Sequence, residues 1–223
     1  KKLAFAALGG LYLYDLESGS LTTLLDMAQD AGTASIRISM LNGAAFAQDN
    51  SQIVFFGSGS SIPAADGEED FSIYGSIAVD GGGLKLTKPS GYEMEEMQSS
   101  VSRLFFPQTF TQADGTLLWV DRATGSANTL SFSASGEGKD GVYGSEQGNY
   151  VATAVLGSNL TVRVYDVASG ALVATEVIEN SDPTYFYRIP RIYLLDGAKT
   201  AVVVLGGSID ELDTLVSTFE FGA

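Results

Sequence analysis

Val162-Arg-Val-Tyr-Asp166-Val-Ala-Ser-Gly170-Ala-Leu172 reads as a β-strand, a tight turn and the start of a returning strand. The β-branched and aromatic run favours extended backbone. The Asp166 side chain is placed to cap the turn amides, Ser169 does the same more weakly, and Gly170 supplies the positive φ that lets the chain fold back. Two other stretches align with it without gaps: Leu11-Tyr-Leu-Tyr-Asp15-Leu-Glu-Ser-Gly19-Ser-Leu21 and Leu118-Trp-Val-Asp121-Arg-Ala-Thr-Gly125-Ser-Ala127. A degenerate fourth copy is Ile77-Ala-Val-Asp80-Gly-Gly-Gly83-Leu-Lys-Leu86.

From Asp15 to Asp80 is 65 residues, from Asp80 to Asp121 is 41, and from Asp121 to Asp166 is 45. Two of these intervals match the roughly 40–50-residue period of a propeller blade, in which each repeat is a four-stranded antiparallel sheet. The long interval holds an apparent insertion, Gly57-Ser-Gly-Ser-Ser-Ile-Pro63-Ala-Ala-Asp-Gly-Glu-Glu-Asp70. A polar turn followed by a β-run stands upstream of three of the hairpins: Gln48-Asp-Asn50 before Ile53–Phe56, Gln147-Gly-Asn149 before Tyr150–Leu156, and Asp196-Gly197 before Ala201–Leu205. Only Leu21–Gln29 and Tyr92–Ser102 read as helical turns.

With these repeats on the page, the chain resembles the TolB-like and WD-repeat-like β-propellers of bacterial exported proteins, whose blades run Asp-Gly turn, strand, loop, strand, Asp-x-x-[Ser/Thr]-Gly turn, strand. The resemblance implies a fold, and it departs from the true WD repeat: there is no Gly-His and no Trp-Asp dipeptide, Trp119-Val-Asp121 being the nearest. The expected architecture is all-β, a β-propeller of about five four-stranded antiparallel blades over 3–26, 36–89, 93–133, 142–178 and 185–221. The first lacks its innermost strand and the last its outermost. A five-blade ring with an open seam, an incomplete part of a larger ring and a domain completed by a partner's strands stay open as arrangements, and a β-sandwich is the alternative fold.

Composition narrows the chemistry. The 223 residues carry 12 Lys+Arg against 27 Asp+Glu, a formal charge of −15, with no Cys and no His. Without Cys there is no disulfide scaffold, thiol catalysis or Cys-ligated metal, and without His no Ser-His-Asp triad. A pI near 4.1 repels phosphate backbones, so nucleic acid is not an expected partner. At 45% hydrophobic residues the chain is too apolar for disorder, and its length suits one domain or two small ones. No stretch reaches the roughly 18–20 apolar residues of a membrane helix. Lys1-Lys2 with Leu3–Tyr14 has the outline of a signal peptide, but Gly9-Gly10 splits it into two short β-runs. The expected location is extracytoplasmic: periplasmic, secreted or at the cell surface.

Four features carry candidate chemistry. Gly136-Glu-Gly138-Lys-Asp-Gly141 fits G-x-G-x-x-G, yet a β-run follows where a dinucleotide site needs a helix, so it reads as an inter-blade loop. Asp66, Glu68, Glu69 and Asp70 offer the oxygen ligands calcium takes, without the alternate spacing of a dedicated loop. Tyr185, Tyr187, Arg188 and Arg191 form the densest aromatic and cationic stretch, the residue types of a ligand-binding surface. Paired carboxylates could serve a glycan hydrolase or lyase, but no single sequence says which acids meet. The expected function is a non-enzymatic binding or scaffolding module presenting propeller loops to a protein, peptide or glycan, with the carboxylate enzyme as the alternative.

Overall fold

The computed structural model describes residues 1–29, 31–64, 66–67, 69–108, 114–134, 137–138, 140–179, 190–206 and 214–222. Among these, every sheet is antiparallel and built from strands that follow one another along the chain. The first sheet is β1 (Lys2–Ala7), β2 (Gly10–Asp15) and β3 (Leu21–Asp26); the second is β4 (Ile36–Phe46), β5 (Gln52–Ser61), β6 (Phe71–Ala78) and β7 (Lys85–Thr87). The third is β8 (Gln98–Ser99), β9 (Arg103–Phe106), β10 (Thr116–Asp121) and β11 (Ala127–Ser131), and the fourth is β12 (Val142–Gly144), β13 (Tyr150–Leu156), β14 (Leu160–Asp166) and β15 (Leu172–Ile178). The fifth is β16 (Arg191–Leu195), β17 (Thr200–Gly206) and β18 (Thr214–Glu220). Five separate up-and-down sheets are the layout of propeller blades; a sandwich would gather the strands into two.

The repeated turns form as their residues dictate. Asp15, Asp121 and Asp166 each donate their amide to the carbonyl five residues on, at 2.9 Å. The glycine four residues after each aspartate takes the left-handed conformation, with φ of 70° at Gly19, 71° at Gly125 and 72° at Gly170. The Asp15 carboxylate accepts from the Glu17 and Ser18 amides, and that of Asp166 from the Ser169 amide and hydroxyl. The fourth copy departs from the pattern: its turn closes through Ala78, whose amide donates to the Gly82 carbonyl, while Asp80 caps the Gly82 amide.

Two expectations are corrected. Leu21–Asp26 is strand β3, paired with β2, with helical geometry confined to the 3-10 turn Met27–Gln29, and Tyr92–Ser102 is irregular chain around the two-residue strand β8. The apparent insertion is partly absorbed into the second sheet, because Gly57–Ser61 completes β5 opposite a long, twice-bulged β4.

The chain divides into two compact units. One comprises Lys1–Met97 with the turn residues Arg122–Gly125, and the other Gln98–Asp121 with Ser126–Ala223. The first unit's core joins Leu11, Leu13, Leu24 and Leu25 to Ile38, Ile53, Phe55, Ile73 and Ile77. In the second unit, Phe105, Leu117 and Leu130 pack with Val142, Val151 and Tyr165, and a further cluster joins Val162, Val164 and Ile178 to Ile192, Leu194, Val203 and Leu205.

Candidate functional site

Of the stretch expected to bind ligand, Arg191 opens β16, opposite Val204, with its side chain exposed. Tyr185, Tyr187 and Arg188 lie outside the described residues. Asp66, Glu69 and Asp70 are exposed on the β5–β6 loop and Glu68 lies outside the described residues. Among the described residues, no three Asp or Glu side chains come together as metal ligands.

A groove that the sequence did not point to lies in the first unit. It has a volume of about 450 Å³ and is lined by Lys1, Lys2, Leu16, Phe46, Asn50 and Val79. Turn chemistry places these groups. Leu16 follows the capping Asp15, and its amide is held by the Lys1 carbonyl at 2.8 Å. Asn50 sits in the β4–β5 turn at φ 58°, its amide donating to the Ala47 carbonyl, and Val79 is tied by its amide to the Ser51 carbonyl at 3.1 Å. Phe46 ends β4, and its carbonyl accepts from the Arg122 guanidinium, at 2.9 Å from Nε; burial pulls the Arg122 pKa below its usual value. The walls are chiefly aliphatic and aromatic carbon, with Lys1 and Lys2 among the lining residues, and the Lys1 α-ammonium is paired with the Glu17 carboxylate at 3.1 Å. Asp15 lies near enough to Lys2 for the lysine to help hold its carboxyl below the usual range, after the larger effect of the Ser18 and Glu17 amides.

The second unit holds a buried carboxylate. Glu137, in the β11–β12 loop of the G-x-G-x-x-G stretch, has a fully buried side chain. Its Oε1 accepts from the Tyr165 hydroxyl at 2.8 Å and from the Thr153 hydroxyl. Its Oε2 accepts from the Ala134 amide at 3.1 Å, Arg163 Nη1 at 3.3 Å and the Ser133 hydroxyl at 3.4 Å. Five donors satisfy both oxygens, as a buried charge requires. The arrangement ties the loop, β13 and β14 into one blade. Among the described residues, Gly138 and Gly141 are followed by the strand β12 (Val142–Gly144). Sequence reading missed Glu137; the only signal was an acid flanked by glycines between two apolar strands.

No protein-family model matches the sequence, and no curated protein matches it. Solved structures match it in fold. A chain in the crystal structure of a mitotic checkpoint complex aligns with 100% of this chain and 61% of its own, with a TM-score of 0.55 and 12% identity. The β-propeller domain of Myceliophteria thermophila Cps50 (Swd1) aligns with 98% of this chain and 66% of its own, with a TM-score of 0.56 and 11% identity. TolB from Acinetobacter baumannii aligns with 100% of this chain and 52% of its own, with a TM-score of 0.47 and 16% identity. The chain thus spans about half to two thirds of the length of these structures. Identities this low speak to architecture alone, and the architecture is a β-propeller fold.

Proposed function

We propose that the protein is a non-enzymatic binding module that takes up a peptide or protein segment through its blade turns. The groove of Leu16, Phe46, Asn50 and Val79 carries this reading. It is concave, mostly apolar, and fixed by backbone hydrogen bonds of three separate turns, as a preformed recognition site should be. The ammonium groups of Lys1 and Lys2 favour a segment that pairs an apolar side chain with a carboxylate. Two observations weigh for binding over carboxylate-dependent hydrolysis: the fold is one that hosts sites on its loops, and the buried acid Glu137 has its oxygens taken up by internal donors. We place the module outside the cytoplasm, a reading that the cysteine-free composition accommodates and that fractionation of the producing cell tests.

The groove is tested by titrating the isotope-labelled protein with the blocked peptides Glu-Leu-Phe-Glu and Lys-Leu-Phe-Lys. The acidic peptide should shift the amide resonances of Leu16, Asn50 and Val79 saturably, and the basic one should not. Val79→Arg should abolish the shifts, and an otherwise unchanged amide spectrum checks that the fold survives the loss of Val79's packing against the core. Equal response to both peptides, or shifts spread elsewhere, would overturn the assignment.

A further inference from the structure

We propose, building on the reading of the groove as a binding site, that Arg122 is its positioning residue: the guanidinium fixes the β4–β5 turn that carries Phe46 and Asn50 into the groove walls. These two residues stand on either side of Gln48. Within the turn the Ala47 amide donates to the Gln52 carbonyl at 2.9 Å, and the Asn50 amide to the Ala47 carbonyl at 3.0 Å. Arg122 grips it twice more from outside. Its guanidinium donates to the Phe46 carbonyl, from Nε at 2.9 Å and again from Nη2, and its own carbonyl accepts the Gln48 amide at 3.2 Å. The residues Arg122–Gly125 belong to the same compact unit as the groove.

The repeat shows that the hairpin turn itself has no need of this side chain. The residue after the capping aspartate is Leu16 in one copy and Val167 in another, and those turns close through the same amide-to-carbonyl bond and left-handed glycine as the turn of Arg122. Leu16 and Val167 reach their surroundings through the backbone, their amides donating to the Lys1 and Asn149 carbonyls at 2.8 and 2.9 Å. An aliphatic residue serves there without desolvating a charge. The half-buried guanidinium, whose pKa burial lowers, needs compensating hydrogen bonds. The departure from the repeat therefore coincides with a side-chain hold on the turn that carries Phe46 and Asn50.

Arg122 is not among the residues lining the groove, so it acts through Phe46 and not by touching a ligand. Walls fixed in advance raise affinity because the ligand does not have to order them. Without the guanidinium, Phe46 and Asn50 depend on the bonds inside their own turn.

The test compares Arg122→Leu, which installs the residue type of the Leu16 copy, with Arg122→Lys, which keeps a cationic donor toward the Phe46 carbonyl. The probe is the blocked peptide Glu-Leu-Phe-Glu, added to the whole chain. Arg122→Leu should bind it about tenfold more weakly, within the range for residues that modulate a site without contacting its ligand, and Arg122→Lys should recover part of the loss. In the free chain, hydrogen exchange at the Gln48 and Asn50 amides should quicken in Arg122→Leu while the rest of the amide spectrum keeps the parent pattern. A residue that serves overall stability alone would not produce that split. Parent-like affinity in Arg122→Leu overturns this inference and leaves the groove standing. Collapse of the amide spectrum in both variants overturns it too, since Arg122 is then needed for folding. A parent chain that does not respond to the peptide overturns the groove reading and this one with it.

Discussion

The phenol of Tyr165 donates a 2.8 Å hydrogen bond to the Glu137 carboxylate, and both side chains are buried. The same hydroxyl serves the Ser133 amide at 3.0 Å, so one tyrosine satisfies a buried charge and a loop amide together. Tyr165→Phe keeps the ring and removes these bonds and a third with the Ser133 hydroxyl at 2.7 Å, and should cost about 1–3 kcal/mol in urea unfolding, the range for leaving buried polar partners unsatisfied. Glu137→Leu should cost about 3–5 kcal/mol, because it strands Arg163 as well as the hydroxyls. A Glu137→Leu midpoint equal to that of the parent would mean the network is incidental.

Base should act on the same tyrosine. Burial raises the Tyr165 pKa above its ordinary value, the hydrogen bonds from Ser133 work the other way, and Glu137 adds to the rise. A raised folded pKa means that stability is fully present below the unfolded value of about 10 and is lost as pH rises through the folded one. Unfolding midpoints should therefore fall above that point, and the fall should be shallower in Tyr165→Phe. Identical alkaline profiles for the two proteins would sink this account.

What was legible in the sequence was what is local. Asp15, Asp121 and Asp166 find their partners within five residues, so a single sequence shows the turn, the hairpin and, by repetition, the blade. Glu137 finds Thr153, Arg163 and Tyr165 at separations of 16, 26 and 28 residues, and nothing in its own stretch marks it. The groove failed to show for the same reason, since Leu16, Asn50 and Val79 come from three turns. Leu21–Asp26 looked helical because its partner strand β2 contributes the deciding hydrogen bonds.

Acid should act through the turn aspartates. The Ser18 and Glu17 amides hold Asp15 below its ordinary pKa; the Ser51 amide and hydroxyl do so for Asp49. At Asp166 burial opposes the shift, but the Ser169 amide and hydroxyl outweigh it and the net change is also downward. Lowered folded values mean stability that is present above the unfolded pKa of about 3.9 and lost as pH falls through the folded ones. Urea midpoints should hold from neutral pH to that point and then decline. Asp166→Asn, which keeps a capping side chain without the titration, should flatten the decline.

Gly125 offers a test of the turn free of packing effects. Its φ is 71°, and a Cβ added there would have no heavy atom within 4 Å beyond its chain neighbours. Gly125→Ala should therefore cost about 1–2 kcal/mol from the left-handed backbone alone. Gly125→Asn should cost less, because asparagine enters that region more readily. Equal stability for glycine and alanine would show that the turn can change type.

Gln98 stitches the third sheet to the fourth in the manner of a backbone peptide. Its Nε2 donates to the Val142 carbonyl at 2.6 Å, and its Oε1 accepts from the Gly144 amide at 3.0 Å. One side chain thereby satisfies two polar groups on β12, a strand of only three residues. Gln98→Glu keeps the acceptor for Gly144 but presents a charged oxygen to the Val142 carbonyl, while Gln98→Leu removes both bonds. The expected order of stability is parent, then Glu, then Leu at acid pH, where the glutamic acid is protonated and can donate. At neutral pH Gln98→Glu should fall toward Leu by about 1–3 kcal/mol, the cost of an unmatched buried group. Hydrogen exchange at Gly144 distinguishes the cause: it should quicken in Gln98→Leu and stay slow in Gln98→Glu, whose oxygen still accepts that amide. Quickening in both variants would mean that protection of the Gly144 amide depends on the Val142 contact rather than on its own bond to Gln98.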